Sequence, residues 1–285
     1  MRPPRRIAAT LISICVCVPV SARASPIDPI SPDRPGVVNP PTVVGVGFLQ
    51  IEAGLTHQGR GGVDLGTAES GAPGERGLVV PELEVRLGVH PRVEVALGFS
   101  GWSRTDFRGG SEVSGFSDLG VDLRAVICEQ FGALPQTALE LDLSFPVGSE
   151  EITSGGVDPS LVLLGQWTLA RRFTLGWNLA AAGLSRGEGT SGRYFEFSPS
   201  VAIGAGFGRG WGVFFEYFAS LRSRGTPDSN GVDGGFTYLA TPNLQLDVSA
   251  GTGFNAPSTG YFVGAGIAWR LPRLWSPATI RQGSR

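Results

Sequence analysis

Acidic and basic side chains recur at alternate positions in segments whose intervening residues are apolar. The pattern is clearest in Leu83-Glu84-Val85-Arg86-Leu87, Leu119-Gly120-Val121-Asp122-Leu123-Arg124-Ala125 and Leu139-Glu140-Leu141-Asp142-Leu143. Following the same phase through similar segments gathers the acids Glu52, Glu82, Glu84, Glu94, Asp118, Asp122, Glu140, Asp142, Glu196, Glu216 and Asp247. The bases in that phase are Arg86, Arg124 and Arg270. Eleven carboxylates cannot all be neutralised by three guanidiniums, so this surface is either wet and screened or some of its acids keep their protons. Two roles stay open. The charges are wet wall positions in which acids brace Arg86 and Arg124, or they form an acidic lining that favours cations.

Other chemistry is sparse. Gly183-Leu184-Ser185-Arg186-Gly187 matches the nucleophile-elbow pattern. That elbow needs a strand-to-helix turn, and this one stands where a strand enters a polar loop. His57 and His90 fall at opposite strand ends. A surface lipid hydrolase built on His57 and a neighbouring serine is the third-ranked reading. Two separated histidines and Cys128 make no metal site. The Gly204/Gly206 and Gly264/Gly266 pairs lie mid-strand and cradle no phosphate. No catalytic residue, metal or cofactor is therefore expected. Asp33-Arg34-Pro35-Gly36 lies in a proline-rich stretch from Pro26 to Pro41, which is poorly suited to pairing in a sheet. Arg34 is placed either to reach carboxylates such as Glu82 or Glu84 and plug a lumen, or to sit in a solvated linker.

The elements that position these residues are strands, because successive strand side chains point to opposite faces. Twelve are expected, over 47–57, 78–89, 93–103, 117–128, 137–147, 160–170, 173–184, 194–207, 211–221, 234–240, 244–254 and 260–271. Short connections, as at His90-Pro91-Arg92 and Thr241-Pro242-Asn243, alternate with long Gly/Ser-rich loops near 57–77, 103–116, 148–159, 185–193, 222–233 and 255–260. Aromatic residues gather at strand ends. Such alternation is that of an outer-membrane antiparallel up-and-down β-barrel, with short periplasmic turns and long extracellular loops. A soluble barrel would turn its apolar face inward instead. An even strand number puts both termini on the periplasmic side.

The chain ends agree with export. Arg2, Arg5 and Arg6 precede an apolar stretch from Ile7 to Val20 and an Ala22-Arg23-Ala24 cleavage site, which reads as a signal peptide over residues 1–24. Its removal takes four arginines and leaves 19 basic against 25 acidic residues, a net charge of −6. That balance argues against nucleic acid as a partner. Cys15 and Cys17 leave with it, and lone Cys128 makes no intrachain disulfide. The expected organisation is residues 25–42 as a periplasmic or lumenal plug, 43–271 as the barrel and 272–285 as a tail.

Several stretches resemble one family in order. They are Ser31-Pro32-Asp33-Arg34-Pro35-Gly36, Gly47-Phe48-Leu49-Gln50-Ile51-Glu52-Ala53-Gly54, Pro81-Glu82-Leu83-Glu84-Val85-Arg86-Leu87-Gly88, Phe145-Pro146-Val147-Gly148, Gln245-Leu246-Asp247-Val248-Ser249-Ala250-Gly251 and Phe262-Val263-Gly264-Ala265-Gly266. Together they resemble the "Putative MetA-pathway of phenol degradation" family over residues 31–271. The resemblance implies a barrel that passes small hydrophobic or aromatic compounds. One departure is the tail after Leu271, where family barrels tend to stop at an aromatic residue. The leading expectation is an outer-membrane channel for passive passage of small molecules. Its partners are outer-membrane lipid, a small solute and the barrel insertion machinery. A structural or assembly protein with a closed lumen is the alternative.

Overall fold

The computed structural model describes residues 28–59, 74–107, 110–185, 192–223, 227–255 and 260–275. The expected signal segment lies outside the described residues, as does the end of the expected tail from 276 onward. Alternating apolar and polar residues form β1 (Leu49–Gly59), β2 (Gly74–His90), β3 (Val93–Phe99), β4 (Trp102–Phe107), β5 (Glu112–Phe116), β6 (Leu119–Cys128) and β7 (Gln136–Phe145). They continue as β8 (Asp158–Ala170), β9 (Phe173–Ser185), β10 (Arg193–Phe207), β11 (Trp211–Arg222), β12 (Ser229–Thr241), β13 (Leu244–Gly253) and β14 (Gly260–Arg270). Each strand pairs antiparallel with its neighbours, and β1 pairs with both β2 and β14, so the sheet closes. β3 and β4 both lie along β2 and make one crossing, and β6 and β5 continue it in the same way. The result is a closed barrel of twelve crossings.

Closure has a physical cause. Hydrocarbon offers no partner to a backbone N–H or C=O, so a sheet in lipid must bond every edge to itself. The side chains follow the same logic with the usual order inverted. The largest fully buried side chains include Arg86, Gln50, Glu52, Glu94 and Glu216, while Leu97, Leu123, Ile203, Phe215 and Val248 stand exposed on the outside. Exposed Phe173, Phe207, Trp211 and Trp269 ring the end that carries the short turns, and Phe116, Phe195 and Tyr261 ring the other. Such girdles sit at the two membrane interfaces.

Two expectations need correction. Residues 103–116, read as a loop, contain the β4–β5 hairpin, in which Arg104 bridges Asp106 and Glu112 at 3.0 Å each. β12 likewise begins at Ser229 and β2 at Gly74, earlier than the sequence pattern indicated. These extensions rise above the lipid, where both faces meet water and no apolar alternation is needed. The stretch after β14 is held where it begins: Leu271 and Leu274 donate to the carbonyls of Leu49 and Gly47 at 2.8 and 2.7 Å.

Val201 lies on the outward face of β10, midway between the girdle residues Phe195 and Phe207. Val201→Arg is expected to destabilise the folded barrel by about 2–4 kcal/mol, the cost of a guanidinium near the bilayer midplane. Ala202→Ser, on the inward face next to it, is expected to be nearly neutral. Equilibrium denaturation in lipid vesicles measures both.

Candidate functional site

The lumen is not empty, because residues 28–48 run inside the barrel before β1 begins. The bends of a proline-rich stretch leave backbone N–H groups without sheet partners, and wall carboxylates accept several of them. Glu52 on β1 accepts from the Asp33 and Arg34 N–H groups, both at 3.0 Å. Glu216 on β11 accepts from Val37 and Val38 at 2.7 and 2.9 Å, and Glu94 on β3 accepts from Val44 at 2.6 Å. Val37 also packs on the inward Phe218 and Phe262. Gly36 is required by this approach, since a Cβ there would meet the Glu216 carboxylate at 2.5 Å.

Two wall arginines and Asp33 form the centre of the charged site. Arg124 on β6 holds the Asp33 carboxylate with both terminal nitrogens, at 2.9 and 2.5 Å. It also pairs with Glu140 on β7 through Nε and lies 3.4 Å from Glu94. Arg86 on β2 lies 3.1 Å from Asp33, 2.9 Å from Glu52 and 2.8 Å from Glu94. Gln50 supports Glu52 with a bond of 2.8 Å. Carbonyls of the segment complete the shell: Ser31 and Thr42 accept from Arg86, and Pro40 and Thr42 from Arg124. Beside this cluster Arg34 reaches Glu82 at 2.6 Å, the Ala265 carbonyl at 3.2 Å and Asp247 at 3.5 Å.

The remaining expected residues fall elsewhere. Glu84, Asp122 and Asp142 occupy the same inward phase above the cluster, with Asp122 opposite Asp142 in the ladder. Asp118 does not join them. It sits at the break between β5 and β6, where its carboxylate accepts from Gly148 at 3.0 Å and Ser154 at 2.9 Å and fastens the long loop. Glu196 pairs with Arg222 at 2.5 Å towards the end of β10 and β11 that is remote from their short connecting turn. Arg270 binds no acid side chain among its hydrogen bonds, which go to Asn243 Oδ1 at 2.9 and 2.7 Å and to the Asp28 and Pro242 carbonyls. Pro35 lines a cavity described below. Sequence reading missed Asp233, which faces Glu216 in the ladder, because β12 starts before residue 234. It also passed over Gln50, Asn178 and Gln245, whose inward phase was visible but which carry no charge.

The opposite wall is built differently. Thr174, Gly176, Ala202, Gly204 and Thr237 put small side chains inward on β9, β10 and β12, leaving a cavity of about 260 Å³ beside residues 30–40. Gln166, Phe214, Glu216 and Gln245 complete its outer wall, and Ile30, Pro32, Pro35 and Val38 face them from the segment. The residues considered for hydrolysis do not meet. His57 points outward on β1 with its ring 6.4 Å from that of Tyr261, and His90 lies at the far end of β2. Ser185 ends β9 and donates to Asp158 at 2.7 Å, while Arg186 and Gly187 lie outside the described residues. No group of His, Cys, Asp and Glu fit to hold a metal occurs among the described residues.

Burial alone would raise the Asp33 carboxyl, but Arg124 and Arg86 together outweigh it and hold the group below its ordinary 3.8. A lowered carboxyl stabilises the docked segment above that value, and the contribution is lost as pH falls through the docked value. Protection of residues 28–42 from an acid-tolerant protease is therefore expected to persist from neutral pH into the ordinary carboxylate range. Release close to neutral pH would contradict this anchoring. Arg124→Ala strands Glu140 and leaves Asp33 and Glu94 to Arg86 alone, and is expected to cost about 3–5 kcal/mol in chemical denaturation. Asp33→Asn should cost clearly less, because Glu52, Glu94 and Glu140 keep both arginines paired.

A family sequence profile described as "Putative MetA-pathway of phenol degradation" matches residues 32–271. Among solved structures the chain is similar to an outer membrane channel from Pseudomonas putida F1, at 11% identity and a TM-score of 0.61, covering 81% of this chain and 97% of that one. The NanC porin is similar at 9% identity and a TM-score of 0.53, covering 78% and 100% respectively. At these identities the likeness is one of fold, the outer-membrane type of β-barrel. No curated protein matches the chain in sequence.

Proposed function

Because this chain belongs to the "Putative MetA-pathway of phenol degradation" family, we propose that it is an outer-membrane channel for passive passage of small molecules, narrowed by its own N-terminal segment. The observation that carries this reading is the cavity of about 260 Å³ beside that segment. An internal cavity of about 150 Å³ already accepts benzene, so this space suits a single substituted ring. Its lining supports the same class. Ile30, Val38 and Phe214 offer apolar surface, while Gln166, Thr237 and Gln245 offer hydrogen bonds to a polar substituent. Export by residues 1–24 and insertion from the periplasm by the barrel machinery belong to this proposal. So does the role of residues 28–42 as a plug that slows passage without sealing it.

The excess of acids on the wall supports a preference for cations. Passage of this kind makes and breaks no covalent bond, so the protein is read as a transporter rather than an enzyme. A second reading, a structural protein with a closed lumen, is favoured by the number of bonds that hold the segment.

Planar-bilayer recording separates the two. The channel reading expects small discrete steps from the full chain, larger steps when residues 28–42 are deleted, and reversal potentials that favour cations in a salt gradient. Silence from both forms would leave the closed-lumen reading standing. Liposome swelling with monocyclic aromatic solutes against sugars of similar size tests the solute class.

A further inference from the structure

The seat of Arg34 is a built slot. In the ladder Glu82 on β2 faces Gly54 on β1, Gly54 faces Gly266 on β14, and Gly266 faces Asp247 on β13. All four lie in the inward phase, so the wall carries one row with a carboxylate at each end and two glycines as its floor. With strands about 4.8 Å apart, the two acidic residues stand about 14 Å apart along the row at their Cα atoms. The Arg34 guanidinium lies on that floor. A Cβ on Gly54 would strike its Cζ and both terminal nitrogens, and one on Gly266 would strike Nε and Cζ.

The resident does not saturate the slot. Arg34 Nε has no hydrogen-bond partner, and neither has Asp247 Oδ2, although the Asp247 side chain is 0% exposed. The contact to the other Asp247 oxygen is long, at 3.5 Å. The cause is the tether: Glu52 holds the Arg34 N–H and Gln245 holds its carbonyl, at 3.0 and 3.5 Å. With the main chain held at both atoms, the guanidinium moves only by its own side-chain torsions, and its 2.6 Å bond to Glu82 keeps it towards that end of the row. An untethered planar cation can shift towards Asp247. The flat floor selects for planarity, since a guanidinium presents a rigid fork whereas an ammonium is a compact point charge.

We propose that the Glu82–Gly54–Gly266–Asp247 row is a recognition site for solutes bearing a guanidinium or amidinium group, which take the place of Arg34 when the N-terminal segment withdraws. The proposal relies on the channel reading for access from the bore, but not for binding. A segment tethered by a short linker competes at an effective concentration of about millimolar, so free ligand acts in that range or on a variant lacking the side chain.

The test uses the full chain purified in detergent with Arg34→Ala, and methylguanidinium as the probe. Methylguanidinium is expected to raise the thermal unfolding temperature saturably, and methylammonium at equal ionic strength is expected to leave it unchanged. The shift should vanish in Arg34→Ala/Gly266→Ala, since the three nearest atoms an added Cβ at residue 266 meets in the native chain all belong to the Arg34 guanidinium, whose place the probe would take. Arg34→Lys provides a second background if the first does not fold. No shift, an equal shift with methylammonium, or a shift that survives Gly266→Ala would each overturn the slot. In bilayers the same probe should shorten openings of Arg34→Ala. Absence of current from every variant, with the thermal shift intact, would sink the channel reading and leave the slot standing.

Discussion

The rest of the structure depends on the inability of hydrocarbon to accept or donate a hydrogen bond. A sheet placed in it must close, and β1 does so by pairing on both sides. Closure fixes two populations of side chains. Within the lipid-spanning band everything outward must be apolar, and the charges of that band must share one narrow interior. Twelve crossings enclose too little space for that interior to be bulk water throughout. The charges therefore need partners close at hand.

The N-terminal segment supplies much of what the wall lacks. Asp33 gives Arg86 and Arg124 a shared carboxylate, and Arg34 gives Glu82 and Asp247 a cation. Backbone N–H groups of Asp33, Arg34, Val37, Val38 and Val44 bind three more wall carboxylates. Burying a charge is costly unless its Coulomb partner and its hydrogen bonds are both present. Neither wall nor segment meets that condition alone. The same bonds that satisfy the wall hold the segment across the bore, which links stability of the barrel to the width of the proposed passage.

That passage follows from an asymmetry around the barrel. From β1 to β7 the interior is filled by long charged side chains. On β9, β10 and β12 a patch of small side chains, Thr174, Gly176, Ala202, Gly204 and Thr237, interrupts the larger inward residues such as Glu216 and Phe214. Space for a solute lies where the wall has small residues. In the proposed channel, one wall anchors the segment and the other leaves room beside it.

The barrel itself was legible from Leu83 to Leu87 and its like, because a period of two with an apolar outer face, repeated over some twelve segments, has few other meanings. The short turns at His90 and Thr241 set the pairing order, since sequence-adjacent antiparallel strands join that way. The β4–β5 hairpin was not legible. Ser103 to Asp106 is polar on both faces, and alternation disappears where both faces are wet. Arg86 and Arg124 could be assigned to the interior, yet nothing in their spacing says that Asp33, 53 and 91 residues away, joins them. Nor does alternation reveal that Gly54 and Gly266 share a row, because register between the first and last strands exists only after closure. The sequence alone determined which face each residue takes, since that is local stereochemistry. Only the tertiary structure decided which charges meet, because partners on one row of a barrel are set by shear and closure, and these belong to the whole sheet.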